Sequence, residues 1–493
     1  MKKYIQICTC DTVAVALETL MPGEKITVKD SEIKITENIP AGHKFALQSI
    51  AEGEKIIKYG FPIGAAICRI EKGAHVHCHN IRSLLNEKQY YRYEPNFLPL
   101  SPKTPCTFEG YRRKDGKVGV RNEVWIIPTV GCVNNIAKAI CKHFNNAENE
   151  HTDGVFAYCH PYGCSQLGDD QLNTQKVLCG LIQHPNAAGV LVLGLGCENN
   201  NINELKAVLG DYDSERVKFL VCQDAENEIE DGIRIVQGLL EKAKQFRREK
   251  CDVSSLIIGL KCGGSDGFSG ITANPAVGKV SDLIIQMGGS AVLTEVPEMF
   301  GAETILMNRC RTKEIFDKTV TMIENFKSYY RFFNEPIDEN PSPGNKEGGI
   351  STLADKALGC TQKGGNAPVE DVLSYGSMVK KKGLSLLCAP GNDLVASCAL
   401  AAAGAQIILF TTGRGTPFGC PVPTIKISSN TPLFYKKNQW IDFNAGQILD
   451  GTDITACAGS LLNFILDTAS GKKVKSEFLD KSDLAIFKNG ITL

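Results

Sequence analysis

No apolar run in this 493-residue chain approaches the roughly 20 residues needed to cross a bilayer. The opening MKKYIQICTCDTVAVALETL has two lysines but no long apolar h-region and no small-residue cleavage site behind them. The expectation is a cytoplasmic protein with no membrane partner. Charge of one sign is missing too: 54 basic residues against 55 acidic ones leave a net charge of -1, so there is neither a nucleic-acid footprint nor an acidic tail. A small-molecule partner is expected instead. The phosphate loop G-x-x-x-x-G-K-[ST] does not occur, and Gly194-Leu-Gly196-Cys-Glu-Asn lacks the third glycine of a dinucleotide fingerprint, so ATP use and hydride transfer lose support. No C-x-x-C pair occurs either. The 20 cysteines therefore read as reduced thiols, core residues or metal ligands rather than a disulfide framework.

The length fits about three domains. Residues 1–82 alternate apolar and polar positions between Pro-Gly and Ala-Gly turns, which predicts a small β module. It ends in Gly73-Ala-His75-Val-His77-Cys78-His79-Asn80, which concentrates three of the eight histidines in five residues. On a strand they would share one face, as a metal or acid–base group requires. Residues 83–108 contain Pro95, Pro99, Pro102 and Pro105 and read as an extended linker. Residues 109–250 and 251–493 show apolar runs alternating with helical spacing, an α/β pattern. Residues 335–365 have no periodicity and read as a long functional loop.

Chemistry gathers where the apolar runs stop. The stretch from Leu256 to Glu303 reads as strand, Gly-rich loop, helix, strand, loop, which brings Lys261, Cys262, Ser265 and Asp266 to the same sheet edge as Glu295 and Glu298. Other runs end in Gly131-Cys132, His160-Pro-Tyr162-Gly-Cys164, Gly196-Cys197-Glu198, Gly391-Asn392-Asp393 and Gly413-Arg414-Gly415. Thiols, carboxylates and imidazoles in one crevice suit a divalent metal, with Lys261 and Arg414 available to hold an anionic substrate. Thiolates and imidazoles favour iron or zinc, whereas carboxylates favour magnesium or manganese. Four cysteines at one edge would also permit an iron–sulfur cluster, although no C-x-x-C spacing supports one.

Several of these stretches are long enough to be compared as units: GYRRKDGKVGVRNEVWIIPTVGCVN, HPYGCSQLGDD, GLGCENN, GLKCGGSDGFSGITANP, LTEVPEMFGAE, ENPSPGNKEGG, PGNDLVASCALAAAGA and FTTGRGTPFG. Together they closely resemble the altronate and galactarate dehydratase family, and IPAGHKFAL, IKYGFPIG and HVHCHN resemble its SAF (β-clip) module. The resemblance covers essentially the whole chain. It implies an N-terminal β-clip domain, a middle α/β domain used in dimerisation and a Rossmann-like, parallel-sheet C-terminal catalytic domain. It also implies a homodimer and a hydro-lyase stimulated by Fe2+, with Mn2+ or another divalent metal as the alternative.

Dehydration of a 2,3-dihydroxy acid such as altronate needs a base for the C2 proton, an acid for the departing C3 hydroxyl and positive charge on the carboxylate. On residue chemistry and position, metal ligands are expected among Cys197, Cys262, Glu295, Glu298, His75 and His77. The proton shuttle is expected among His160, Lys261 and Asp266, and substrate contacts from Arg414, Asn392 and Ser265. The linker is expected to let residues 75–80 close over the crevice as a lid. Galactarate or a sulfolactate-type acid is the alternative substrate, and a non-catalytic sugar-acid-binding protein is the alternative of another class.

Overall fold

The computed structural model describes residues 3–28, 31–85, 89–145, 147–148, 151–479 and 484–493. The N-terminal module is all β. Its antiparallel pairs join Val13–Ala16 to Lys44–Ala46, Lys25–Val28 to Ser31–Lys34, and Lys55–Lys58 to Phe61–Ala66. Short strands separated by Gly turns fold this way because each turn reverses the chain before a helix can nucleate. At Gly42, φ is +84° and an added Cβ would sit 3.3 Å from the Gly348 carbonyl, so glycine there serves close approach to the C-terminal domain.

The middle domain is built on a four-stranded parallel sheet in the order Gly154–Ala157, Glu123–Pro128, Ala187–Gly194, Val217–Val221. Its two central strands are buried along their whole length, as apolar runs covered by helices on both faces require. Glu249–Asp252 pairs with Thr107–Arg112, so the last strand before residue 253 returns to the first strand of the domain.

The C-terminal domain holds a seven-stranded sheet, every pair parallel, in the order Val369–Leu373, Gly383–Leu387, Ser290–Leu293, Ile257–Cys262, Ile407–Thr412, Thr424–Ser428, Phe443–Asn444. From Ile257–Cys262 the chain first runs to one side, then crosses to Ile407–Thr412 on the other. The crevice of this open sheet therefore lies outside the carboxyl ends of those two strands, where the order reverses.

Two expectations change. Residues 335–365 are not irregular: Pro343–Glu347 and Leu353–Cys360 are helices. Ser342 caps the first together with Asn345, and the Thr352 hydroxyl accepts from Asp355 N at the second, both cap signals hidden by the absence of a long period. The β module is also not a free lid. Lys44 and Lys58 both reach Asp355 at 2.9 Å, all three side chains buried, while Ile56, Ile63 and Ala66 pack on Ala302, Ala357 and Leu358. The linker is strapped down as well, through Tyr91 Oη to Glu303 at 2.7 Å and Tyr93 Oη to the Cys310 carbonyl at 3.1 Å.

Candidate active site

The sheet reversal presents a cavity of ≈ 670 Å³ lined by Cys262, Glu298, Lys356, Asn392 and Asp393, with residues 339–346 across its far side. Lys261 ends its strand with Nζ on Asp393 Oδ1 (2.9 Å), the Cys262 carbonyl (2.7 Å), the Gly391 carbonyl (3.1 Å) and Glu295. Burial lowers its pKa, but the attraction of Glu295, Asp393 and Glu298 outweighs burial and keeps it a firm ammonium. Glu295 sits at φ +69°, a left-handed conformation held by its own contacts: Lys363 Nζ and Cys262 N both bind Oε2 at 3.0 Å. Glu298 takes Lys356 on Oε1 at 2.8 Å, with Cys262 Sγ at 3.1 Å and Cys360 Sγ at 3.2 Å from Oε2. Burial alone would raise Glu298, yet Lys356, Lys261 and Lys363 hold it well below the usual carboxylate range. The cluster is a buried set of matched charges.

Across residues 343–351 lies a second group. His43, His75 and His77 bring one ring nitrogen each to within 4.8 Å of the others. His43 Nδ1 is 3.0 Å from His75 Nε2, and its Nε2 donates to the Glu347 carbonyl at 3.0 Å. His77 Nδ1 is buried without a hydrogen-bond partner. Burial first, then the charge of neighbouring rings and of Lys44, pulls His75 to about 3 and His77 to about 4, so these imidazoles are neutral at pH 7. On its outer side the same loop places Glu347 against Arg414 at 2.8 Å, Arg414 being 44% exposed.

The expected site residues divide among these places. Lys261, Cys262, Glu295 and Glu298 meet as anticipated, and Asn392 lines the same cavity while its side chain caps Asp393–Ala402. Asp266 is drawn away from proton transfer: its carboxylate accepts from Ser269 N and Oγ, Phe268 N, Ser429 Oγ and Asn430 Nδ2, which makes it a loop brace. His160 is not in this crevice. It ends a middle-domain strand, with Nε2 donating to the Pro128 carbonyl at 2.8 Å, Nδ1 accepting from Tyr162 N, and burial pulling it to about 4. Cys197 is likewise at the middle-domain edge, exposed, with Gln223 Nε2 at 3.4 Å. Gly263-Gly264-Ser265-Asp266-Gly267 also has the G-x-S-x-G spacing of a serine nucleophile, a match sequence reading overlooked; Ser265 Oγ is buried with no partner, so no base activates it.

Three family models match in succession: the altronate/galactarate dehydratase SAF domain over residues 2–84, the second domain of D-galactarate dehydratase/altronate hydrolase over 110–244, and the C-terminal domain of D-galactarate/altronate dehydratase over 253–492. Altronate dehydratases of Escherichia coli strain K12 and Bacillus subtilis strain 168 are 51% and 53% identical, each across all of both chains. The chain belongs to the altronate and galactarate dehydratase family. A galactarate dehydratase (L-threo-forming) of Escherichia coli strain K12 is 34% identical over 95% of this chain and 93% of its own.

A metal expected of this family has two candidate homes, and their chemistry separates them. Cys262, Glu298 and Cys360 also lie within 4.8 Å of one another. Lys356 already occupies Glu298, however, and Lys261 and Lys363 occupy Glu295, so these carboxylates are neutralised before a dication could use their charge. The imidazole group fits better: three neutral rings, an orphaned buried nitrogen, and a carbonyl fixing the His43 tautomer from outside. His43, Lys356, Lys363 and Cys360 are the members sequence reading missed. For His43 a signal existed: Gly42-His43 and Gly73-Ala-His75 follow equivalent turns of the β module.

Proposed function

We propose that this chain removes water from D-altronate to give 2-dehydro-3-deoxy-D-gluconate, taking the C2 proton and expelling the C3 hydroxyl. The observation that carries the choice of substrate is the full-length identity of 51% and 53% to two altronate dehydratases, against 34% to a galactarate dehydratase. The geometry supports a hydro-lyase reading. The cavity at the sheet reversal holds ammonium groups, carboxylates and amides in a fixed array, as a polyhydroxy acid requires.

His43, His75 and His77 would hold a divalent transition metal, ferrous iron by family expectation, whose charge would make the C2 proton more acidic. Arg414, beside Gly264 of the cavity lining, would exchange its ion pair with Glu347 for the substrate carboxylate. Asp393 is the candidate base. It lines the cavity with a side chain 34% exposed and anchors one oxygen on Lys261. Lys356 is the candidate acid. Its ammonium donates to Glu298 Oε1, Asn340 Oδ1 and Asn345 Oδ1, and a substrate hydroxyl replacing either amide oxygen would receive the proton as it leaves. Lys261 and Lys363 clamp the two oxygens of Glu295 and keep the cavity wall rigid, which fixes the electrostatic field before substrate arrives.

The test is an anaerobic assay of the iron-loaded protein with D-altronate, galactarate and sulfolactate, measuring 2-keto acid and sulfite. Altronate is expected to exceed galactarate in kcat/KM by at least about tenfold, a discrimination of about 1.4 kcal/mol. Faster turnover of galactarate, or sulfite from sulfolactate as the main product, would replace the substrate. No product from any of them would favour a sugar-acid-binding protein.

A further inference from the structure

The middle-domain sheet has its own carboxyl edge, and the reaction above leaves it unused. Three adjacent parallel strands each lead into a Gly-Cys pair there: Glu123–Pro128 into Gly131-Cys132, Gly154–Ala157 into Gly163-Cys164, and Ala187–Gly194 into Gly196-Cys197. Cys132, Cys164 and Cys197 are all exposed, whereas an unligated cysteine is ordinarily among the most buried of residues. The sheet order puts the Cys132 strand between the other two, and paired strands stand about 4.8 Å apart.

The three loops are locked together. Gly131 N donates to the Tyr162 carbonyl at 2.9 Å, and Asn200 N donates to the Gly163 carbonyl at 3.0 Å. A Cβ on Gly163 would stand 2.0 Å from the Thr129 carbonyl, so the loop carrying Cys164 is pressed between the loops carrying Cys132 and Cys197. Ser165, at φ +60°, gives its N–H to Asn199 Oδ1 at 2.8 Å, and Cys164 Sγ lies 3.5 Å from the same oxygen. Glu198 closes the Cys197 loop by accepting from Thr129 Oγ1 at 2.5 Å, Gly196 N at 2.6 Å and Leu195 N at 3.1 Å. A left-handed non-glycine residue and a buried carboxylate are costly ways to shape a surface loop, and they fix the positions of the thiols.

Each cysteine also precedes a helix, Asn134–His143, Gly168–Ile182 or Ile202–Leu209, whose positive N-terminal end favours a thiolate or an anionic cluster. Gln223 Nε2 points its N–H at Cys197 Sγ, the kind of contact that tunes a ligating sulfur. The buried Asn134 Oδ1 and Asn200 Oδ1, on two of these loops, lack partners.

We propose that Cys132, Cys164 and Cys197 hold an iron–sulfur cluster at this edge, each thiol losing its proton and binding one iron of a cuboidal [4Fe–4S] unit, with the fourth iron left without a protein thiolate. The three sulfurs are not among the described groups whose ligand atoms all lie within 4.8 Å of one another. Thiolates sharing a single ion must crowd that closely, whereas thiolates on separate corners of a cluster stand wider apart. Three thiols on separate braced loops, too far apart to crowd one ion, suit the corners of a cluster better than one zinc or iron ion. The proposal does not depend on altronate being the substrate.

The experiment is anaerobic reconstitution of the full chain with ferric iron, sulfide and a thiol that reduces part of the iron to the ferrous state, followed by desalting. The readouts are iron and acid-labile sulfide per chain, the visible absorbance, and the electron paramagnetic resonance signal after reduction. About four of each element are expected beyond any iron bound elsewhere. Cys132→Ser, Cys164→Ser and Cys197→Ser are each expected to lose the sulfide and the absorbance while keeping the wild-type circular dichroism, and Cys106→Ser is expected to retain both. Iron without labile sulfide, no cluster in the wild-type chain, or clusters that survive all three substitutions would each overturn the proposal.

Discussion

Two parallel sheets in one chain bring cysteines to their carboxyl ends beside glycine turns and meet opposite fates. At the C-terminal sheet, Cys262 is buried behind residues 339–346, among Lys261, Lys356 and Lys363, whose charges are met by Glu295, Glu298 and Asp393. At the middle sheet, Cys132, Cys164 and Cys197 stand exposed, and the one buried carboxylate nearby, Glu198, is taken up by loop N–H and hydroxyl donors. Strand and loop alone do not decide the chemistry of such an edge. What covers it does: burial with cations makes a fixed electrostatic cavity, and exposure with braced loops leaves thiols free to take a ligand.

The covered edge should fail first where its cover is pinned. Asp355→Ala leaves Lys44 and Lys58 buried without their shared anion, and removing one partner of a buried ion pair costs about 3–5 kcal/mol. A large fall in Tm is expected in thermal melts, with loss of the cavity's activity. A Tm within a degree of wild type would mean that the β module is not held as described.

The difference in cover should also be readable chemically. In metal-free protein, Cys132, Cys164 and Cys197 should react with an aromatic disulfide at least about 100-fold faster than Cys262 and Cys360, whose modification requires local opening. Mass spectrometry of the time course ranks them, and equal rates would abolish the contrast.

The smallest effect concerns acid. Burial holds His160 at about 4 and His184 at about 3, both below the roughly 6.5 of an unfolded chain. Between those values the unfolded chain binds protons that the folded one does not, so stability is full above about pH 6.5 and falls as pH drops towards 4. The loss is at most about 1.4 kcal/mol per pH unit for each ring. Melts of metal-free protein from pH 7.5 to 5 should show this slope together with that of His75 and His77, and His184→Gln should reduce it by one ring's share. A slope unchanged by the substitution would remove His184 from the account.

Much of this was legible from local pattern. The two α/β domains and the β module followed from period and turn chemistry, and Lys261, Cys262, Glu295 and Glu298 were placed together by one strand-loop-helix-strand stretch. The residues that escaped, His43, Lys356, Lys363 and Cys360, come from elements up to about three hundred positions apart, as the contact of His43 with Glu347 shows. Their meeting depends on domain docking, which leaves no period in the sequence. His160 and Cys197 misled for the complementary reason: a strand end is recognisable locally, but which of two sheets it belongs to is not.

The proposed function divides metal binding and proton transfer between the imidazole seam and the lysine–carboxylate cavity. It is tested most directly by comparing His77→Ala with Lys356→Met on the same preparation, measuring iron retained at the seam and 2-keto acid formed from D-altronate. His77→Ala is expected to lose both one iron per chain and turnover, whereas Lys356→Met is expected to keep that iron and lose at least about 100-fold in kcat. Wild-type turnover in Lys356→Met, or full iron retention in His77→Ala, would contradict it.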